Sequence, residues 1–265
     1  MNLELQGRRA LVTGSSAGLG AEIVEQLAAE GAAVVVHGRD EARAEAVAKA
    51  VRGAGGSATV AIGDIGTDAG ADAVAAAALA GGPVDILVNN AGVYDPAADW
   101  GGTSPSEWAD IYNVNVIAGV RMIQRFVPAM RERRWGRVIQ ISSVTGHLPQ
   151  ASQPHYAASN AARDNLAASL ARELARTGVT SNAVAAGGIL VPATQKMLTG
   201  LGREKGWGDT WDEIEPHVVD NLAPNDSGRI GRPGDYARLV AFVAGAGAGY
   251  INGTTLRVDG GWRDA

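Results

Sequence analysis

The chain has 265 residues, of which 46% are hydrophobic and 19% charged, an ordinary composition for a globular protein with a large core. Its net charge of −5 argues against a nucleic-acid partner or an anionic membrane surface. The absence of cysteine excludes disulfides and thiol chemistry, and the four histidines show no metal-ligand spacing, so no metal site is predicted.

Targeting signals are not evident in the sequence. The first residues lack a charged segment followed by an apolar run, so no signal peptide is predicted. The alanine-rich stretch 71–80 is too short to span a bilayer, and the expected compartment is therefore the cytoplasm. No repeat or linker interrupts the chain, so we predict a single domain over residues 1–265.

In the first half, short β-branched runs alternate with helical patterns, which indicates βαβ units and a parallel sheet. The strands predicted there cover residues 9–12, 33–36, 58–62 and 86–88. The helices predicted between them cover residues 19–30, 41–53 and 68–80.

In the second half, residues 106–133 are predicted to form one long helix, and residues 137–141 a strand. A strong helical pattern covers 155–177, and strands at 180–184 and 255–258 complete the sheet. The stretch 191–232 is the least regular and is predicted to be a long, variable lid. The whole pattern predicts an α/β fold, a Rossmann-type doubly wound parallel sheet flanked by helices, with the lid before the last helix and strand.

A glycine-rich turn, Thr13-Gly14-Ser15-Ser16-Ala17-Gly18-Leu19-Gly20, joins the first strand to the first helix. Glycines allow such a bend and bring the backbone close to a pyrophosphate. The helix N-terminus then offers free N–H groups and a positive dipole end to that anion. The Gly-x3-Gly-x-Gly spacing differs from Gly-x-Gly-x2-Gly and resembles the pattern of classical short-chain dehydrogenases/reductases.

The resemblance to this family extends over nearly the whole chain. It is carried by Asn89-Asn90-Ala91-Gly92, by Asn115 in Val114-Asn115-Val116, by Ser143 thirteen residues before Tyr156, and by the ending 253–261. The resemblance implies a nicotinamide cofactor, a small-molecule carbonyl or alcohol substrate, and a homodimer or homotetramer.

The resemblance assigns four catalytic roles, and one of them falls on an unexpected residue. Tyr156 is the general acid/base, Ser143 fixes the substrate oxygen, and Asn115 holds a water in a proton relay. The family's lysine, which binds the ribose and favours tyrosinate, is replaced by Asn160. An amide can still bond the ribose but carries no charge, so we expect slower turnover near neutrality and a pH–rate profile moved upwards.

Three side chains are candidates for the missing charge. Arg163 lies three residues beyond Asn160, potentially on the same helix face, and His147 and His155 flank the catalytic segment. His155 directly precedes Tyr156 and is expected to point elsewhere, whereas His147 could face the substrate. The sequence leaves these alternatives open.

The end of the second strand bears on the choice of cofactor. NAD-specific members of the family place aspartate where this chain has Gly38, and the planar fork of Arg39 suits a 2′-phosphate, unless it is simply solvated. Asp40 and Glu41 are expected to begin the next helix. Asp64 resembles the family's adenine contact. NADP(H) is therefore predicted in preference to NAD(H).

The cofactor residues that the resemblance implies come from every loop at one edge of the sheet. They are Gly14, Ser16, Gly18, Leu19, Gly20, Arg39, Asp64, Ile65, Asn90, Ala91, Gly92, Asn160, Gly187 and Ile189. Ala186 stands where the family usually has proline, which removes some stiffness from the loop that reaches the nicotinamide.

The predicted lid has a large apolar content, including Met197, Leu198, Leu201, Trp207, Trp211 and His217. Together with Tyr94 and Trp100, these side chains favour a bulky or cyclic substrate if they face it; alternatively, they pack the lid onto the body or onto a neighbouring subunit. The leading hypothesis is NADP(H)-dependent hydride transfer. The alternative is an NADP-binding relative with weak or different chemistry, such as elimination, isomerisation or sensing.

Overall fold

The structure, a computed structural model, describes residues 2–263; Met1, Asp264 and Ala265 of the predicted domain lie outside the described residues. Within that range, seven strands form one parallel sheet in the order β3-β2-β1-β4-β5-β6-β7. The strands are β1 Arg9–Val12, β2 Ala33–Gly38, β3 Ser57–Ile62, β4 Ile86–Asn89, β5 Gly136–Ser143, β6 Val179–Ala186 and β7 Thr255–Val258. The predicted parallel sheet is confirmed.

Helices flank the sheet on both sides. They are α1 Gly18–Ala29, α2 Glu41–Gly53, α3 Asp68–Leu79, α4 Pro105–Tyr112, α5 Ala118–Glu132, α6 Pro154–Glu173, α7 Pro192–Glu204, α8 Trp211–Asn221 and α9 Pro233–Ala244. Among residues 2–263, no helix combines the length and the apolar character that crossing a membrane would require.

The strands β1, β2 and β4 are buried on both faces of the sheet, which explains why they are largely apolar runs rather than alternating patterns. Along β1, Ala10 and Val12 join the core cluster shared with α1, α2 and α9, and Leu11 joins the cluster shared with α3 and α5. The chain therefore continues from β1 into α1 on one face of the sheet and from β4 towards α5 on the opposite face. The crevice between the carboxyl ends of β1 and β4 is where such folds bind ligands.

The prediction of one helix over 106–133 is wrong at its centre. A π-helical turn, Asn113–Ile117, separates α4 from α5. Turns of this kind insert a residue into the helical ladder and occur at functional sites. Here the turn carries Asn115, whose side chain bonds the loop after β4.

The prediction that 191–232 is irregular is also wrong. The segment contains α7 and α8, which pack around their own apolar cluster of Leu198, Ile214 and Val218. Pro192 occupies the first turn of α7, and a reciprocal capping box between Thr210 and Glu213 begins α8. Much of the segment's apolar content therefore serves packing.

Candidate functional site

The glycine-rich turn is held between the carboxyl ends of β1 and β4. Gly14 adopts a positive φ of 65°, and a Cβ on it would lie 2.8 Å from the Ala91 Cα, so only glycine fits there. Thr13 Oγ1 accepts the backbone N–H groups of Asn90 and Ala91, each at 3.0 Å. The Asn90 side chain donates in return to the Thr13 carbonyl at 2.8 Å. The predicted glycine and asparagine elements thus form one rigid unit.

The side chain of His37, which sequence reasoning missed, supports the same turn from β2. Its Nδ1 accepts the Gly14 N–H at 2.9 Å, and its Nε2 lies 3.1 Å from the Gly63 carbonyl, to which it donates in the tautomer that this requires. Burial lowers the pKa of His37, which keeps the imidazole neutral. A lone histidine within a strand carries no local sequence signature of this role.

The start of α1 has the form of an anion cradle. Gly18 has a positive φ of 59°, and a Cβ on Gly20 would lie 2.5 Å from the Gly14 carbonyl oxygen. In the described structure, no side chain caps the helix at Ala17. The first-turn N–H groups are therefore available to an anion such as a pyrophosphate.

Gly38 and Arg39 lie at the end of β2, beside the glycine-rich turn. A Cβ on Gly38 would lie 2.8 Å from Ser16 Oγ, so Ser16 occupies the space that a larger residue at 38 would need. Arg39 is exposed. Asp40 accepts the Arg43 N–H at 3.1 Å and caps α2, which confirms that this carboxylate serves the helix start.

The loop after β3 completes this side of the crevice. Asp64 is exposed and its Oδ1 accepts the Gly66 N–H at 2.9 Å, which leaves its other oxygen facing outwards as an acceptor. Ile65 is buried and packs into the core. Burial of Ile65 fixes the loop that presents Asp64.

Ser143 and Tyr156 follow one another at the carboxyl end of β5, the first at the end of the strand and the second at the start of α6. Ser143 ends β5, is buried, and its Oγ accepts a hydrogen bond from the Thr145 hydroxyl at 3.0 Å. Tyr156 lies in the first turn of α6 and is half-buried. The ring of Tyr94 lies 5.9 Å from the ring of Tyr156, centroid to centroid.

The polar atoms of Asn115 all have protein partners. Its Oδ1 accepts the Val93 N–H at 2.8 Å, and its Nδ2 donates to the Val93 carbonyl and to Ser159 Oγ. Its backbone carbonyl accepts a hydrogen bond from the Arg163 guanidinium. Asn115 therefore connects the π-helical turn, the loop after β4, and α6.

Asn160 is buried and bonds within its own helix. Its Nδ2 donates to the Tyr156 carbonyl at 2.9 Å, and Ser159 Oγ donates to the same carbonyl at 2.8 Å. Such bonds to the carbonyls three and four residues earlier hold polar side chains against the helix backbone. One of the two amide N–H groups of Asn160 is thus engaged beneath Tyr156.

The three candidate cations have different surroundings. His155 is buried, and its ring lies 5.9 Å from the ring of Trp108, centroid to centroid. His147 Nε2 lies 3.1 Å from Asp164 Oδ2. Burial raises the pKa of the Asp164 carboxyl, against the opposing effects of its hydrogen bond from Ser142 and of His147. Arg163 is buried near Asn115.

The segment predicted to reach the nicotinamide follows β6. Ala186 is the last residue of this strand and pairs with Val258, so the sheet holds it in place although it is not proline. Gly187 donates to the Val258 carbonyl at 2.9 Å. Ile189 bridges to Gly231. These bonds fix the loop that the sequence indicated.

The buried Tyr236 also holds this segment, and sequence reasoning missed it. Its hydroxyl donates to the Gly188 carbonyl at 2.8 Å, next to Ile189. Burial raises the pKa of the phenol far above its ordinary value, so the hydroxyl stays a donor. Glycine at 231 makes room, because a Cβ there would lie 2.1 Å from the Tyr236 hydroxyl.

The aromatic side chains after β4 and in the predicted lid fall into two groups. Trp207 and Trp211 pack against the α7–α8 cluster, and His217 stacks on Trp207 at 5.5 Å. Tyr94 and Trp100 are exposed, and the Tyr94 ring lies beside the Tyr156 ring at an interplanar angle of 54°.

Comparison with known proteins identifies the protein family. The chain matches the short chain dehydrogenase family over residues 8–201. It is 35% identical over 264 residues to the uncharacterized oxidoreductase YvaG of Bacillus subtilis, with 98% of each chain covered. The chain belongs to the short-chain dehydrogenase/reductase family and is an oxidoreductase.

Two solved structures resemble the fold closely. The L-sorbose reductase of Gluconobacter frateurii, complexed with NADPH and L-sorbose, superposes with a TM-score of 0.91 at 30% identity, covering 98% of each chain. A 7α-hydroxysteroid dehydrogenase complexed with NADH and 7-oxo glycochenodeoxycholic acid superposes with a TM-score of 0.87 at 29% identity, covering 100% of this chain and 97% of that one. Relatives thus bind either nicotinamide cofactor.

Proposed function

We propose that this enzyme transfers a hydride between NADP(H) and a carbonyl or secondary alcohol, with Tyr156 as the general acid/base. The proposal rests on one observation: the elements that carry the cofactor and catalytic residues are bonded to one another at one edge of the sheet. The glycine-rich turn is bonded to Asn90, and α6, which presents Tyr156, is bonded through Arg163 to the carbonyls of Ala91 and Ile141.

The residues of the crevice fit a dinucleotide. The cradle formed by Gly14, Gly18 and Gly20 suits a pyrophosphate, and Asp64 has an outward oxygen for the adenine side. Asn90, Ala91, Gly92, Gly187 and Ile189 border the nicotinamide half in this proposal. When bound, the cofactor supplies or accepts the hydride.

NADP(H) is preferred over NAD(H) in this proposal because of the residues at the end of β2. A guanidinium donates paired hydrogen bonds to a phosphate, and the exposed Arg39 is free to do so beside Ser16. No carboxylate at position 38 is present to accept from the ribose hydroxyls or to repel a phosphate.

In the mechanism, Ser143 donates a hydrogen bond from its hydroxyl to the substrate oxygen. Tyr156 gives its phenolic proton to that oxygen as the carbonyl becomes an alcohol, and takes it back in the reverse direction. Asn115 acts by anchoring the loop after β4 to α6. Asn160, a neutral residue in the family's lysine position, is proposed to bond the ribose with its remaining amide N–H.

The exposed ring of Tyr94 beside Tyr156 favours a bulky or cyclic substrate, because a ring surface at the mouth of the site gains from apolar contact. We propose that residues 1–265 form one domain, with 191–232 as the segment over the substrate. A homodimer or homotetramer through the long helices and the edge strand β7 is the proposed assembly, and light scattering on the purified protein measures it.

The test is NADPH oxidation against a panel of linear and cyclic ketones, with Tyr156→Phe as the key variant. This change removes only the hydroxyl, so we expect kcat to fall by about 10²- to 10⁴-fold while NADPH affinity stays the same. Tyr94→Phe, in the neighbouring ring, is the matched control and should turn over like the wild type. Full activity of Tyr156→Phe would refute the proposed acid/base role.

A further inference from the structure

Arg163 is a buried cation at the centre of the candidate site. It lies seven residues after Tyr156 on α6, about two helical turns along the same side. Only 5% of its surface is exposed. Among residues 2–263, no carboxylate oxygen approaches its guanidinium within 4.0 Å.

The guanidinium is instead surrounded by backbone carbonyls. Nε donates to the carbonyl of Asn115, Nη1 to that of Ile141, and Nη2 to that of Ala91. These carbonyls belong to the π-helical turn, the end of β5 and the loop after β4. Arg163 therefore bonds three of the segments that border the candidate site.

The surrounding chain leaves room for this side chain. A Cβ on Gly92 would lie 3.3 Å from Arg163 Nη2 and 3.4 Å from Asn115 Oδ1, so a larger residue at 92 would press on both. Burial of a charge without a counter-ion is costly, and carbonyl dipoles offset only part of that cost. The three hydrogen bonds hold the guanidinium in place, and they hold a positive charge beside the loop after β4 and the π-helical turn.

We propose that Arg163, three residues beyond Asn160 on α6, supplies the positive charge that a lysine at position 160 would supply, and that it acts as a positioning residue favouring negative charge on the Tyr156 oxygen. The proposal rests on the proposed function, because it concerns the group that Tyr156 uses as acid and base. With this charge at Arg163, the slow turnover and the raised pH–rate profile expected from Asn160 are no longer expected, because the charge is moved rather than lost.

The charge state of Arg163 suits this role. Burial lowers the pKa of its guanidinium to about 10, with the charges of Tyr156 and Asp164 acting in the opposite direction. It therefore remains a cation at neutral pH.

Other titratable groups lie around Tyr156 and Arg163. Asp164 follows Arg163 directly, and its carboxyl accepts from Ser142 and lies beside His147. Tyr94 faces Tyr156 ring to ring, while His155 faces Trp108. Asp164→Asn removes the nearest negative charge and should shift the pH profile opposite to removal of Arg163.

The experiment measures alcohol oxidation with NADP⁺ across pH for Arg163→Met, Arg163→Lys, Asn160→Lys and the double variant Arg163→Met with Asn160→Lys. Oxidation needs the ionised phenol, so loss of the cation should move the half-maximal rate upwards by about one to two pH units. Arg163→Lys should retain the wild-type profile. Asn160→Lys should restore the midpoint of the pH profile in the Arg163→Met background and shift that midpoint little in the wild type; the midpoint is the readout because Asn160 also contacts the ribose in the proposed function, so kcat and cofactor affinity can change on their own.

Melting temperature and NADPH affinity show which variants are folded. A folded Arg163→Met variant whose profile is unmoved overturns the proposal. If that variant does not fold, Asn160→Lys alone decides. A downward shift of its pH profile by about one unit or more shows that a charge was missing and overturns the proposal. A pH profile with an unmoved midpoint supports the proposal. Full turnover by Tyr156→Phe would instead refute the proposed function itself.

Discussion

His37 Nδ1 accepts the backbone N–H of Gly14 at 2.9 Å, so that a side chain of β2 fixes the backbone of the glycine-rich turn. Its Nε2 lies near the Gly63 carbonyl after β3, which places one imidazole of β2 between two loops of the crevice. The bond from Gly14 requires an unprotonated Nδ1. The rigidity of the cofactor turn is therefore linked to the neutral state of His37.

Removal of this imidazole should destabilise the protein. His37→Leu leaves the Gly14 N–H and the Gly63 carbonyl without their partner, so we expect the free energy of unfolding to fall by about 1–3 kcal/mol. Denaturant titration measures it. His217→Leu, at an exposed histidine, is the control and should have little effect.

The same pair of variants tests a pH dependence. Burial lowers the pKa of His37 from its ordinary 6.5, so as the pH falls below about 6.5 the unfolded chain binds a proton before the folded protein does. This contribution to stability is complete above that pH and is lost below it. The stability difference between wild type and His37→Leu should therefore shrink from pH 7 to pH 5. A difference that stays constant would show that protonation of His37 is not involved.

Substitution at Gly14 should abolish cofactor binding. Gly14→Ala combines a positive φ of 65° with a Cβ only 2.8 Å from the Ala91 backbone, so the loop after β4 must move. Gly53, at the end of α2, is the matched control, because a Cβ there meets nothing within 4 Å. Gly53→Ala should be neutral or more stable by about 0.5–1 kcal/mol. Fluorescence titration with NADPH measures binding, and equal affinities for the two variants would contradict the fit of the cradle.

Arg39 should set the cofactor preference. Arg39→Ala removes a charge-assisted contact of about 1.5–3 kcal/mol, so we expect NADPH affinity to fall by about 10- to 100-fold with little change for NADH. Arg43→Ala, an exposed arginine one turn into α2, is the control for the general loss of positive charge. Equal losses for NADPH and NADH at Arg39→Ala would refute the phosphate contact.

Tyr94 should contribute to substrate selection. Tyr94→Ala removes the ring that faces Tyr156, so KM should rise for cyclic ketones more than for small linear ones. Tyr250→Ala is the control: this residue is fully exposed and precedes the amino end of β7, away from the carboxyl edge. A uniform change across the ketone panel would argue against contact with the substrate ring.

Much of the sheet and of the glycine-rich turn could be predicted because their signals are local. Buried parallel strands require apolar β-branched runs, and the turn requires glycines at fixed positions, so both appear in a single sequence. The two helices within 191–232 were also accessible: Pro192 and the Thr210–Glu213 capping box are start signals that glycine and proline content obscured.

The remaining features depend on contacts between distant segments. The π-helical turn carries Asn115, which bonds Val93 across 22 residues of sequence, and no periodicity indicates it. His37 bonds Gly14 and Gly63 only after three strands pair. Arg163 could be named as a candidate for the missing charge because it lies three residues beyond Asn160. Its burial among three carbonyls, however, is a property of the packed fold.

The central claim is hydride transfer to a substrate carbonyl under the control of Tyr156, and isotope transfer tests it most directly. The enzyme is incubated with a cyclic ketone panel and NADPH deuterated at either face of nicotinamide C4. The account predicts that one of the two cofactors delivers deuterium to the carbinol carbon of the alcohol product, and that Tyr156→Phe forms almost no labelled product. Alcohol formed without deuterium from either cofactor, or undiminished labelling by Tyr156→Phe, would contradict it.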